Sequence, residues 1–472
     1  MPECGGPVSP LSSLFSSNRF VPAQVYRMSP ETFYIHTFGC QMNVHDSEQM
    51  AQLLEEAGYA RACDPGRADI IIMNTCSVRE KAAQKAYSEL GRLKKYKQHH
   101  PGVIMGVAGC LAQEKGGAFF RRTPYLDFVL GTHNIHRIVD LIGKITSGGS
   151  PVVDTSFHRS VRSLGIRTVP APGSMSAFVT IMQGCNNFCS YCIVPYVRGR
   201  EESRQSADIV DEIGFLARHG VREVTLLGQN VNSYGRGLSE DLDFPALLAM
   251  INEIDGIDRI RFTTSHPKDL SADLAVAFAD LGKLCEHIHL PVQSGSDDVL
   301  RRMKRGYTAG EYLEKIVLLR AARPDIHITS DIIVGFPGEK DRDFQKTIDL
   351  MGKVRFDNIF SFRYCDRHGT ASEGYDGKVA EGIKRERLTL LQSLQERHSL
   401  EKNTDFEKRV EGVLVEGISR NSTADLTGRT RGNKIVNFAG DADLVGKTVP
   451  VRITRAHIHA LRGEMVQGGE RC

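Results

Sequence analysis

The chain has no tryptophan, and only 7% of its 472 residues are aromatic, which by itself excludes nothing. Three other shortages are more informative. No apolar run approaches the roughly 18 residues that a membrane-spanning helix needs, so no membrane role is expected. Lys and Arg total 60 against 57 Asp and Glu, a formal charge of +3. Bulk charge therefore makes no case for a nucleic-acid partner, and any basic surface must be local. No secretory signal accompanies the 11 cysteines, an odd number, so a disulfide scaffold is not expected. In a reducing, cytoplasmic setting such thiols point to metal or catalysis. With 41% hydrophobic and 25% charged residues, the chain reads as soluble and globular, long enough for two or three domains.

Residues 1–30 hold five Pro and six Ser without a periodic apolar pattern, and predict a disordered extension. A transit peptide and a translation start at Met28 are the alternatives. From 31 to 147, the runs FYIHTFGC, ADIIIMNTC, VIMGVAGC and LDFVLG each precede a stretch of helical periodicity. Such alternation predicts βα units on a parallel sheet. Residues 148–176, rich in Gly, Ser and Pro, predict a linker. Over 177–403, six strand candidates (AFVTIMQG, EVTLLGQN, RIRFTTSHP, HIHLPVQSG, HITSDIIVG and NIFSFRYC) alternate with helices. That is two repeats short of an eight-stranded barrel, so a partial, open-sided (β/α)6 barrel is expected. A long polar helix over Lys378–Lys402 ends the block. Residues 405–469 change to five short strands with Gly-marked turns, an OB-like β-barrel. From Phe406 to Cys472 there are 11 Lys+Arg against 8 Asp+Glu, which leaves both RNA binding and a merely solvated surface open. The fold class is thus α/β in three parts.

The sequence GCNNFCSYCIVP sets Cys185, Cys189 and Cys192 at C-x3-C-x2-C just after the first barrel strand. Thiolates are soft ligands suited to iron–sulfur clusters or zinc. A structural zinc site wants four closed ligands, and no fourth Cys or His follows nearby; zinc and three idle thiols are the alternatives. A 4Fe–4S cluster on three thiolates keeps one iron free, the arrangement in which radical-SAM chemistry binds S-adenosylmethionine (SAM) and reduces it. Tyr191 supplies an aromatic wall beside the cluster. Strand-end loops are also where barrels keep their chemistry.

Cys40, Cys76 and Cys110 form a second, dispersed set. Each stands at the carboxyl end of a predicted strand, at spacings of 36 and 34 residues, about one βαβ repeat. Parallel sheets gather such loops on one edge, so the three thiols are expected to converge. Three buried small hydrophobes would be the alternative. A second cluster with one unclaimed iron is the expected occupant, with an exchangeable sulfur as its natural ligand. Cys4, Cys63, Cys285, Cys365 and Cys472 read as ordinary thiols.

With FGCQMNVHDSE at the amino end and CNNFCSYC in the core, the chain resembles the methylthiotransferase family of radical-SAM enzymes. Its terminal barrel is similar to the TRAM RNA-binding domain. The resemblance spans Thr32 to about Val466. Gly39 to Asn43, Asp46 to Glu48 and His289 to Thr308 resemble the tRNA branch. Other branches act on a ribosomal-protein aspartate or on threonylcarbamoyl-adenosine. The resemblance implies two 4Fe–4S clusters, an auxiliary one on Cys40, Cys76 and Cys110 and a SAM-binding one on Cys185, Cys189 and Cys192. It places SAM near Gly228, Gln229, Asn230 and the stretch Asp331–Glu339. It implies methylthiolation of carbon 2 of N6-isopentenyl-adenosine beside the anticodon of tRNA, with SAM as methyl donor and radical source. The partners implied are the anticodon stem-loop and an electron donor such as flavodoxin or ferredoxin, with the protein a monomer. A non-catalytic RNA-binding iron–sulfur protein is the reading from a different class. Arg367-His368-Gly369-Thr370 departs from the family's Arg-Pro-Gly-Thr, and the lost proline is expected to loosen that loop without touching the clusters.

Overall fold

The computed structural model describes residues 31–77, 80–158, 165–170, 173–420 and 422–466. The expected extension over residues 1–30 lies outside these, as do residues 467–469 at the end of the predicted terminal barrel.

The amino-terminal unit is a six-stranded, wholly parallel sheet. Its strands are β1 (Thr32–Phe38), β2 (Ala60–Arg61), β3 (Ile70–Thr75), β4 (Ile104–Gly109), β5 (Phe128–Leu130) and β6 (Val152–Asp154), in the order β2-β1-β3-β4-β5-β6. Every residue of β3 and β4 is buried. That is why IIIMNT and IMGVAG are nearly continuous apolar runs rather than alternating ones: both faces are covered by helices. Met50, Leu54, Ile138 and Leu141, from helices Gln41–Glu56 and Ile138–Thr146, cover one face. Leu90, Leu93, Leu111 and Phe119, from the helices after β3 and β4, cover the other. The expected linker needs correction, because it contributes β6, paired in parallel with β5. Three residues flanked by Gly, Ser and Pro are too short to show a period.

The central unit holds β7 (Ser176–Thr180), β8 (Met182–Gln183), β9 (Glu202–Ser203), β10 (Glu223–Leu227), β11 (Arg259–Thr263), β12 (His287–His289), β13 (His327–Val334) and β14 (Asn358–Arg363). Two parallel sheets, β7-β10-β11 and β12-β13-β14, are joined by a parallel bridge between Ile260 and Leu284. The result is a six-stranded curved wall. Among the described residues no ladder joins β14 back to β7, so the barrel stays open there. The predicted first strand breaks at Ile181, and its second piece, β8, turns aside to pair antiparallel with β9. The cysteine loop follows that break directly. The predicted polar helix is found at Glu381–Thr404 and packs along β14.

The terminal unit is a closed barrel of β15 (Val410–Ile418), β16 (Asp425–Arg429), β17 (Ile435–Ala439), β18 (Thr448–Ala456) and β19 (Leu461–Met465), ordered β15-β16-β17-β19-β18. It docks on the amino ends of the central strands, opposite the cysteine loop. Arg259, the first residue of β11, donates to the carbonyl of Arg429 at 2.9 Å, and Arg261, in the middle of that strand, to those of Thr430 and Arg431 at 2.9 Å each. Arg431 in turn reaches Glu286, just before β12, at 2.9 Å. Lys434 meets Asp357, just before β14, at 3.2 Å.

Candidate metal centres

Register explains how the dispersed cysteines meet. Strands β1, β3 and β4 are neighbours, and Phe38, Thr75 and Gly109 lie on one rung. Cys76 and Cys110 follow that rung directly, and Cys40 stands two residues beyond it. Adjacent strands are about 4.8 Å apart, so the thiols leave the sheet edge side by side. Cys40 is the N-cap of helix Gln41–Glu56, and Cys110 opens helix Cys110–Lys115. Beneath them lies a buried amide knot. Asn43 Nδ2 donates to Asn74 Oδ1 at 3.1 Å, and Asn74 Nδ2 donates to Asn43 O at 2.8 Å and Ser47 Oγ at 2.9 Å. Gly109 has φ +89°, and a Cβ there would lie 2.2 Å from Asn74 Oδ1, so only glycine lets β4 turn beside the knot. A hydrogen bond with Cys76 is the main reason the Cys40 thiol is lowered to about 6, with the Arg198 charge adding to it. Burial pushes Cys110 up, against the opposing pull of Arg198.

The second triad lies in one loop. Cys185 follows β8, and Cys189 and Cys192 precede helix Val194–Arg198. Ser190 pins the loop through its N–H to Met303 O at 3.0 Å and its hydroxyl to Arg302 O at 2.9 Å. Arg305 Nη1 lies 3.4 Å from both Cys189 Sγ and Tyr191 Oη, while Nη2 donates to Pro291 O at 2.6 Å. Burial pushes Cys192 up to about 12, with the Cys189 and Cys185 thiolates adding to it. Burial and then the Arg305 charge hold His266 well below the ordinary imidazole range, so the ring beside Cys189 is neutral.

Each set gathers three soft donors, with Cys76, Cys110 and Cys189 buried and Cys40 exposed, and the thiols within it act on one another electrostatically. Thiols pushed up by burial, as Cys110, Cys185 and Cys192 are, ionise together only beside a strong positive charge, which is what a bound iron–sulfur group supplies. Among the described residues no three Cys, His, Asp or Glu side chains close on a single-ion geometry.

The barrel mouth carries a second sign of fit. Gln183 Nε2, Asn230 Oδ1, Ser265 Oγ and Gln293 Oε1 are buried there without a protein partner. Gln183 ends β8 and the others follow β10, β11 and β12, at the carboxyl ends where a polar ligand would complete them. Of the residues expected near SAM, Asn230 lies at this mouth, with its Oδ1 unpartnered and its Nδ2 held by Asp269 at 2.7 Å. Gln229 accepts from the Gly184 N–H and so braces the cysteine loop. Gly228 lets the chain pass Met182, whose Cγ a Cβ would meet at 2.5 Å. Asp331 lies inside the barrel, 3.5 Å from His289 Nε2. Glu339, at the end of the expected stretch, is committed to Gly335 N–H at 3.0 Å and Arg387 at 2.8 Å. Arg198, Arg305 and His266 were not legible beforehand. Arg305 lies inside the matched stretch His289–Thr308, and that is the only signal it gave.

Arg198 connects the two sets. It ends the helix that follows Cys192, yet its side chain is 2% exposed and points into the amino-terminal unit. Nη1 donates to Asp46 Oδ1 at 3.1 Å, Nη2 pairs with Asp46 Oδ2, and Nε donates to Cys110 Sγ at 3.3 Å. Cys110 also packs on Ile193 and Val197 of the same segment.

Comparison with known proteins agrees with this three-part geometry. Residues 32–131 match the model of the uncharacterized protein family UPF0004, residues 179–351 the radical SAM superfamily, and residues 406–466 the TRAM domain. Among solved structures, the radical S-adenosylmethionine methyltransferase TsrM from Kitasatospora setae shares the fold. Its TM-score is 0.52 at 11% identity, over 70% of this chain and 72% of that one. A tRNA-2-methylthio-N(6)-dimethylallyladenosine synthase from Syntrophus aciditrophicus (strain SB) is 57% identical over 96% of this chain and 98% of its own. One from Geobacter sulfurreducens is 50% identical over 92% and 97%. With identity of that order running through all three units, the chain belongs to the tRNA-2-methylthio-N(6)-dimethylallyladenosine synthase family of radical-SAM proteins.

Proposed function

We propose that this chain is a radical-SAM tRNA methylthiotransferase. It installs a methylthio group on carbon 2 of N6-isopentenyl-adenosine beside the anticodon, with SAM as both methyl donor and radical source. The observation that carries the reading is the pair of three-thiol sets joined by one short helix, Val194–Arg198. When bound, two 4Fe–4S clusters supply the one-electron and sulfur chemistry that an unactivated carbon–hydrogen bond demands and no side-chain base can provide.

The chain's own residues bind, orient and shield. Cys185, Cys189 and Cys192 hold one cluster; Cys40, Cys76 and Cys110 hold the other. Arg305 fixes Cys189 and Tyr191 relative to the barrel wall. Gln183, Asn230, Ser265 and Gln293 offer polar atoms to SAM, with Gly228 and Gln229 shaping the turn and Asp331 reaching in from β13. Burial of the mouth keeps water away from reactive species. The target base must leave its stack to enter, and loop bases are the cheapest to extrude. The terminal barrel grips phosphates with exposed Lys408, Arg420, Arg452 and Arg455. The division of labour is 31–147 for the auxiliary cluster, 177–403 for the radical-SAM core and 405–469 for RNA. Electrons come from a flavodoxin- or ferredoxin-type donor, and the protein works as a cytoplasmic monomer. Mass analysis of tRNA nucleosides from cells with and without this gene tests the reading. Loss of the methylthio nucleoside with accumulation of N6-isopentenyl-adenosine is expected; an unchanged methylthio level would overturn it.

A further inference from the structure

We propose that Arg198 is a positioning residue that reaches out of the radical-SAM core to set the charge and redox poise of the group held by Cys40, Cys76 and Cys110. The proposal rests on the reading that this triad holds an iron–sulfur cluster.

Three features of the geometry point this way. Arg198 is the largest side chain among the fully buried ones, and burying a guanidinium is costly unless every part of it is used. Its fork is used by Asp46, at 3.1 Å through Nη1 and through Nη2 as well. Its Nε–H is aimed at Cys110 Sγ, 3.3 Å away. An ion pair serving only to clamp the two units would not need a sulfur acceptor. The flanking backbone is fixed too: Arg198 O meets His133 Nε2 at 2.9 Å, and Thr132 Oγ1 donates to Val197 O at 2.6 Å. The amino-terminal unit thus grips the helix on both sides, and the charge cannot swing away.

The physical consequence follows from sign. A positive charge and an N–H donor at a ligating sulfur favour the reduced, more negative cluster and raise its potential. Asp46 opposes part of that charge. The two residues therefore act in opposite directions on the same group, a signature that a purely structural clamp lacks. Because Arg198 lies six residues after Cys192, the helix also ties the seating of one cluster site to the other.

The test is an anaerobic redox titration, followed by electron paramagnetic resonance, of the full-length reconstituted protein. Arg198→Met should lower the auxiliary potential by about tenfold in the reduction equilibrium, about 59 mV for one electron. Asp46→Asn should raise it. Arg198→Lys, which keeps charge but loses the fork, should fall between wild type and Arg198→Met. The potential of the other cluster should move by less in all three. If Arg198→Met fails to retain its auxiliary iron, Arg198→Lys must restore it; a lysine variant equally empty would overturn the charge argument. Three loaded variants with the wild-type auxiliary potential would overturn it as well. Wild-type protein holding only about four irons would instead remove the cluster from this triad, and the proposal with it.

Discussion

The two sets each bring three thiols together, by opposite routes. Cys185, Cys189 and Cys192 lie within one loop, set by a strand break and by Ser190's hold on Arg302 and Met303. Cys40, Cys76 and Cys110 come from three neighbouring strands, and their meeting depends on the register of β1, β3 and β4 and on the Asn43–Asn74 knot. Their surroundings differ as well. The dispersed set contains a thiol lowered to about 6 next to a buried Arg198, whereas in the loop set burial holds Cys192 at about 12. A loop can assemble a site with little help, but a sheet edge does so only when the whole domain is in register.

The largest expected effect would break the comparison outright. Cys185→Ala should bring both 5′-deoxyadenosine and methylthio product to background. The triple change Cys40→Ala, Cys76→Ala, Cys110→Ala should leave reductive 5′-deoxyadenosine formation while abolishing methylthio product. Assay with dithionite, SAM and prenylated anticodon-loop RNA, quantifying both species together, decides it. Methylthio product from the triple variant would end the division of roles.

Iron content is the next measure. Wild-type protein reconstituted without oxygen should hold about eight irons per chain, and removal of either triad should halve that. Loss of nearly all iron on removing one triad would mean that the two sites assemble as one.

Asn74→Ala should act on the dispersed site alone. It removes three buried hydrogen bonds and leaves Asn43 partly unsatisfied, a cost of about 2–4 kcal/mol. Denaturant unfolding of the apo protein should show that loss, and auxiliary iron should fall while iron at Cys185, Cys189 and Cys192 stays. Equal iron loss at both sites would show that the loop triad is not autonomous.

The smallest effect belongs to the terminal barrel, which is docked at the far end from both triads. Arg452→Ala with Arg455→Ala should weaken tRNA binding several-fold and reduce the salt slope by about 2. RNA-free cleavage of SAM should be unchanged. A change in that cleavage would reveal coupling through the docked surface of Arg261, Arg431 and Glu286.

Much of this was legible in one dimension. Apolar runs such as IIIMNT and VIMGVAG, alternating with helical stretches, announced parallel strands, and a cysteine after each run announced a shared edge, because strand-end geometry repeats with the βα unit. The loop triad was legible from spacing alone, since its geometry is local. The short strand β6 escaped notice because three residues show no period, and Ile181's break in the first barrel strand left no local mark.

Composition, period and spacing therefore determined the three-part α/β architecture and the two thiol sets, while the motifs around them carried the likeness to a family. Tertiary structure alone decided what surrounds the thiols. Arg198 and Arg305 are unremarkable in sequence, and each acquires its role by crossing between elements distant along the chain. Arg198 meets Cys110 across 88 positions, and Arg305 meets Cys189 across 116. Sequence pattern records the period of a strand or helix, because backbone geometry imposes it residue by residue. It carries no comparable record of which buried charge lies beside which sulfur, because that depends on how finished elements pack.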